Sequence, residues 1–150
     1  MRGQIFTLDN MKIFTFGGAA SHDISGGILE PDEPDLETKE IELRRTGKSW
    51  RTNHITWWTQ ELPTEDEMRE GLNNLAPCDN KVDVIITHCC PSSIQKLLDD
   101  DKYSTNTLTD YLEQIHQAVE YKKWYFGHYH RNRNMSDKDE LLYRQFLRIS

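Results

Sequence analysis

Two short apolar runs, each ending in histidine, constrain this chain more than any other feature. Val82-Asp-Val-Ile-Ile-Thr-His88 is dominated by β-branched residues, and Trp124-Tyr-Phe-Gly-His-Tyr-His130 is aromatic until it breaks at a glycine. Both read as buried strands. Each delivers histidine at what would be a C-terminal strand edge, and ligands of α/β sheets sit beyond that edge. Imidazole nitrogens ligate transition metals well. Gly127 is expected to let the backbone turn sharply where the second run ends.

The rest of the chain supplies a sheet and helices around these runs. Gln4 to Leu8 and Lys12 to Phe16 are β-type segments joined by Asp9-Asn10, which is good hairpin-turn chemistry. Residues 20 to 56 read as a long irregular excursion, broken by Gly26-Gly27, Pro31 and Pro34, with a short helix over Glu37 to Arg45. Thr64 and Glu67 form a predicted capping box, followed by Met68, Leu72 and Leu75 at helical spacing as far as about Ala76. A short helix is expected from Pro91 to Leu98, then a polar loop over residues 99 to 104. Thr107 to Val119 carries Leu108, Tyr111, Leu112, Ile115 and Val119 on one face and predicts an amphipathic helix. Residues 132 to 139 read as a turn-rich loop, and Leu141 to Ile149 as a closing strand. The expectation is one α/β domain spanning residues 1–150.

Composition narrows the function. Hydrophobic residues make up 36%, charged residues 29%, the net charge is −7, and the mean hydropathy is −0.78. The chain is polar but has the apolar content of a folded domain. No basic tail or stripe is present, which argues against general nucleic-acid binding. No apolar run is long enough to span a bilayer, and the first residues lack a signal-peptide layout. The cysteines, Cys78, Cys89 and Cys90, are odd in number, and two are adjacent. That speaks against a disulfide framework and for a reducing, cytoplasmic setting.

Residue by residue, two readings stay open for the histidines. His128 and His130, two apart, would share a face in extended backbone and be aimed at one or two ions, or they are exposed loop residues. His88 is a ligand or caps the next helix. A zinc site built from His88, Cys89 and Cys90 is the least favoured option, because adjacent cysteines chelate one ion poorly; one of them is expected to be a buried small hydrophobe. His54 and His116 read as structural or surface residues, with His116 toward solvent. Trp50, Trp57 and Trp58 either anchor the long loop to the sheet or form a stacking platform.

Taken in order, Phe16-Gly-Gly-Ala-Ala-Ser-His-Asp23, Trp57-Trp58 with Glu61-Leu-Pro-Thr-Glu65, Thr87-His88 and Gly127-His-Tyr-His130 resemble the calcineurin-like metallophosphoesterases, small prokaryotic-type members above all. The resemblance covers nearly the whole chain. It implies a four-layer sandwich of two mixed sheets flanked by helices, and metal-dependent hydrolysis of phosphate esters. It also implies two divalent ions (Mn, Fe or Zn), with His88 and His128 serving one and His130 the other. His22 and Asp23 become substrate contacts. Arg44 and Arg45, with Lys48 and Arg51, become a positive cluster suited to a phosphate ester, or remain a solvated loop face; Arg131 and Arg133 are weaker candidates. The family's Asp-x-His, Gly-Asp and Gly-Asn-His motifs are absent from this sequence. The chain therefore looks like the C-terminal portion of such an enzyme, beginning just after them, with catalytic residues unassigned. On that reading it self-associates or pairs with a missing N-terminal half. The alternative is a non-catalytic module that binds metal or a partner.

Overall fold

The computed structural model describes residues 1–98 and 103–149. In chain order the elements are β1 (Arg2–Leu8), β2 (Met11–Phe16), β3 (Ile28–Leu29), α1 (Leu36–Arg45), β4 (Arg51–Thr52), α2 (Glu65–Leu75), β5 (Val84–Thr87), α3 (Ser92–Lys96), α4 (Thr107–Ala118), β6 (Lys123–Phe126), β7 (Arg133–Asn134) and β8 (Asp139–Leu141). The fold is mixed α/β. The chain forms two compact units: Met1–Ala19 with Pro63–Ser150, and Ala20–Leu62. No helix among the described residues is long and apolar enough to cross a membrane.

The larger unit is built on a six-stranded sheet in the order β1-β2-β5-β6-β8-β7. The inner pairs β2–β5, β5–β6 and β6–β8 are parallel, and the outer pairs are antiparallel. The hairpin turns as its sequence requires: Asp9 and Asn10 both take positive φ, 48° and 65°. That is the geometry whose twist matches the flanking strands.

Two glycines decide how α2 meets this sheet. Gly3, at φ +67°, sits where the β1–β2 register shifts. A Cβ on Gly3 would lie 2.5 Å from the Gly71 Cα, and a Cβ on Gly71 would collide with the Tyr111 hydroxyl. The backbones of strand and helix touch at this point, so only hydrogen fits on either side. The contact also sets which face of α2 is buried. The sequence predicts a Met68, Leu72 and Leu75 seam; Leu75 and Gly71 are buried, Met68 packs against the core from its edge, and Leu72 is left largely exposed. The Thr64–Glu67 capping box is formed as expected, with Thr64 N–H donating to Glu67 Oε2 at 2.8 Å and Glu67 N–H to Thr64 Oγ1 at 3.2 Å. Helix α4 has a second box, on Asn106 and Thr109, and all five residues of its expected apolar face are buried.

One face of the sheet carries Phe14, Phe16, Ile85, Trp124, Phe126 and Leu141 into the main core against α2, α3 and α4. The other face carries Ile13, Val84 and Tyr125, with Met11, Leu142 and Ile149 packed on them. Beside this second cluster Phe6 pairs with Ile13 and Leu8 with Met11. Phe6, Leu8 and Ile86 are 42%, 60% and 37% exposed.

Three expectations need correction in this unit. The closing strand ends at Leu141 rather than running to Ile149, and it starts at Asp139, inside the expected turn-rich loop, which also holds β7. The reason is that Asp139 is a buried carboxylate with built-in partners. Its Oδ1 accepts from the Tyr121 hydroxyl at 2.8 Å and its Oδ2 from Ser136 Oγ at 2.6 Å. His116 does not point to solvent. It is half-buried, its ring meets Trp124 edge-on at 5.8 Å, and its Nε2 lies 3.7 Å from Asp139 Oδ2. Residues 99–102 of the expected polar loop lie outside the described residues.

The smaller unit holds the parallel pair β3–β4, with Ile28 opposite Arg51 and Leu29 opposite Thr52. Helix α1 falls within one residue of its expected start and buries no side chain. Its first turn is tied down by Lys39, which pairs with Glu33 and, at 3.4 Å, with Asp35.

Two measurements check this packing. Replacing glycine by alanine inside an ordinary helix stabilises by about 1 kcal/mol. Gly71→Ala should do the reverse, by about 1–3 kcal/mol of overpacking strain, read as a lower midpoint in chemical denaturation. The second concerns His116. The Asp139 carboxylate 3.7 Å from its Nε2 raises its pKa above the usual 6.5, against the opposing effect of burial. A raised folded-state pKa adds stability that is complete below 6.5 and is lost as pH rises through the elevated value. The stability difference between the wild type and His116→Leu should therefore be largest on the acid side of 6.5 and shrink on the alkaline side.

Candidate functional site

Because β2, β5, β6 and β8 run parallel, their C-terminal ends share one edge. The register Thr87 opposite Phe126 sets the next residues, His88 and Gly127, side by side. Backbone bonding continues one step past the strands. His88 N–H donates to Phe16 O at 3.4 Å, Gly127 N–H to His88 O at 3.2 Å, and Leu142 N–H to Phe126 O at 2.8 Å. Below this step, the buried Trp124 indole N–H donates to Thr87 Oγ1 at 2.8 Å, and the Thr87 hydroxyl donates to Cys89 O at 2.5 Å. The turn that carries His88 is thus held from beneath.

The rings of His88 and His128 meet there, with centroids 5.2 Å apart at 68°. Tyr103 closes the far side of His128, edge-on at 5.7 Å. The ring of His130 lies against Tyr143 instead, at 5.1 Å and nearly parallel. His88 keeps solvent contact, yet the protein packed around its ring disfavours the charged form, and the nearby His130 adds to this. Both hold its pKa below the ordinary 6.5. A neutral imidazole is the form that accepts a metal ion.

The backbone here differs from the extended run that the spacing predicts. His128 and His130 lie in left-handed conformation, φ 73° and 51°, while Gly127 does not. A Cβ at 127 would meet Leu142 O at 3.6 Å and His88 O at 3.9 Å, ordinary contacts. The sharp turn is therefore made by the histidines and not by the glycine. Each left-handed non-glycine residue stores about 1–2 kcal/mol, and such strain gathers at functional sites.

Cys89 and Cys90 are both buried, and both hydrogen-bond to the Tyr129 hydroxyl. Burial pushes the Cys89 thiol up and the Cys90 thiol to about 12. Zinc binds the thiolate, so these side chains suit the small-hydrophobe reading and not a zinc site with His88.

The other candidate residues belong to the smaller unit. His22 is exposed. Asp23 is engaged by Arg51 through two hydrogen bonds, one of them from Nε at 3.2 Å, so its carboxylate has a structural partner. Arg44 lies over the Trp50 ring at 5.8 Å. Arg45 is exposed in the last turn of α1, beside Arg44.

Among the described residues no group of three or more His, Cys, Asp or Glu is arranged to hold a metal ion. The His88–His128 pair fits part of a metal centre; the residues present do not fit a complete one. Sequence reasoning assigned no role to Thr87, Tyr103 or Tyr129, which shape this edge. Thr87 and Tyr129 stood within the Thr87-His88 and Gly127-His-Tyr-His130 motifs, while Tyr103 left no signal. No family model, curated protein or solved structure matches this chain.

A nuclear magnetic resonance titration of the histidine side chains tests the electrostatics. His88 should titrate below 6.5, and His130→Ala should move its midpoint upward. A midpoint that ignores this substitution would separate the two residues.

Proposed function

We propose that this chain is the histidine-bearing part of a cytoplasmic, metal-dependent phosphoesterase of the calcineurin-like kind, acting on a phosphate ester. One observation carries the reading: imidazoles from two separate turns meet at the C-terminal ends of adjacent parallel strands. That is where an α/β sheet receives its ligands. His88 is kept neutral at this edge, and His130 stands close enough to influence it. On this reading His88 and His128 hold one divalent ion and His130 serves a second; Mn, Fe and Zn all accept imidazole. The chemistry such ions supply is charge stabilisation on a phosphoryl group in transfer. Carboxylate ligands come from outside this sequence, from a further segment or a partner chain, and the sheet forms one half of a four-layer sandwich.

A second reading has an observation of its own. The lack of any group of three donors among the described residues favours a non-catalytic module that binds a metal ion or a partner weakly.

Zinc titration by calorimetry and hydrolysis of aryl phosphate mono- and diesters with added Mn²⁺ separate the readings. The wild-type chain should bind Zn²⁺ weakly, and His128→Ala should weaken that binding by roughly tenfold or more, the scale lost even with outer-shell partners. Equal binding by wild type and variant would remove the metal site altogether. The isolated chain should not turn over either ester. Robust hydrolysis abolished by His130→Ala would instead mean that a full centre assembles between copies.

A further inference from the structure

Tyr129 stands between the two site histidines in sequence, and its ring meets that of His128 edge-on at 5.1 Å. It is 3% exposed, while its neighbours reach the surface edge. Its hydroxyl has three partners: Cys89 Sγ at 3.3 Å, Cys90 Sγ at 3.1 Å and Gln95 Oε1 at 3.0 Å. Gln95 is itself buried, on α3.

The donors and acceptors of this cluster admit one ordering. The amide oxygen of Gln95 can only accept, so the phenol gives it its single proton. The phenol oxygen then has two lone pairs left, and each thiol has one proton to give. Cys90 and Cys89 both donate to it, so the phenol, the two thiols and Gln95 Oε1 are each engaged. The ordering needs neutral thiols and a neutral phenol, which burial enforces: Cys90 is pushed up to about 12, and Cys89 and Tyr129 also upward.

The two cysteines directly follow His88, and the tyrosine directly follows His128. The junction therefore fastens the turn after β5 to the turn after β6. A fastening is needed, because both histidines flanking Tyr129 hold left-handed backbone, which relaxes unless its surroundings over-determine it. The backbone bond from Gly127 to His88 joins the turns at their base. The phenol adds a buried polar link between the residues beyond that base.

We infer that Tyr129 is a positioning residue: its buried phenol, shared by Cys89, Cys90 and Gln95, holds the two turns in the register at which the His88 and His128 rings meet. Its bearing on metal or substrate rests on the function proposed above; the geometric statement does not.

The test compares the full chain with Tyr129→Phe, which keeps the ring and removes only the hydroxyl. Nuclear Overhauser cross-peaks between the His88 and His128 rings report the contact, and those between Tyr121 and Trp124, in ring contact at 5.5 Å, report the intact core. The wild type should show both sets. Tyr129→Phe should lose the histidine set and keep the core set, which a merely stabilising tyrosine would not do. Cys90→Ser, which retains a donor to the phenol, should keep both sets. Gln95→Leu, which removes the proton acceptor from a third element, should lose the histidine set and so provides a readout should Tyr129→Phe fail to fold. Full histidine cross-peaks in a folded Tyr129→Phe or Gln95→Leu, or none in the wild type, would overturn the inference. A parallel Zn²⁺ titration keeps the two ideas apart: cross-peaks lost in the variant, with no Zn²⁺ binding by the wild type, would uphold the positioning role and defeat the metal reading.

Discussion

The buried hydrogen bond from the Trp124 indole to Thr87 is the interaction on which the rest of this structure depends. Thr87 Oγ1 accepts it at 2.8 Å, and its own proton then goes to Cys89 O at 2.5 Å. One hydroxyl thus ties the middle of β6 to the end of β5 and to the turn that carries His88. Trp124 is fully buried and meets Tyr121 and His116 edge-on. Through them it is joined to Asp139 at the start of β8. A polar group left unpaired in such a place costs about 1–3 kcal/mol, so neither residue can be exchanged for an apolar one without loosening both ends of β6.

Much of this was legible in the sequence, and the rest failed for identifiable reasons. Strand β6 declared itself through its aromatic run and the hairpin through turn chemistry, and α4 through five apolar residues that are all buried. The capping box on Thr64 was read correctly because its two residues satisfy one another locally. Periodicity failed where a tertiary contact outranked it. Leu72 fits the helical seam, but the close approach of Gly71 to Gly3 turns that side outward. Polarity failed where charge was buried by design: Asp139 looked like loop, and beside the local Ser136 its partners Tyr121 and His116 come from far earlier in the chain. At the site, strand ends and spacing singled out His88, His128 and His130; the rings of His88 and His128 meet, and that of His130 lies against Tyr143. The left-handed backbone at His128 and His130, and the phenol that fastens it, could not be read from spacing, which assumes an extended chain.

The two ends of the sheet treat histidine in opposite ways. At the N-terminal end of β8, Asp139 favours the charged form of His116, and the gain exceeds the cost of burial. At the C-terminal edge, the protein packed around His88 and a second histidine, His130, both favour the neutral form. The same side chain is thereby biased toward its charged form at one end and toward its neutral form at the other, with its surroundings deciding which.

The second face of the sheet follows the same logic on a larger scale. Inner parallel strands are ordinarily covered on both faces. Here the helices cover one, and on the other Leu142 and Ile149 reach only the Ile13, Val84 and Tyr125 cluster. Phe6, Leu8 and Ile86 stay open to water, on the face that a four-layer arrangement would bury. At about 25 cal/mol for each Å² of apolar surface removed from water, covering those three side chains would add to the stability of whatever lay against them. Ile86 directly precedes Thr87 and His88 in β5. An element that covered it would therefore reach the histidine edge.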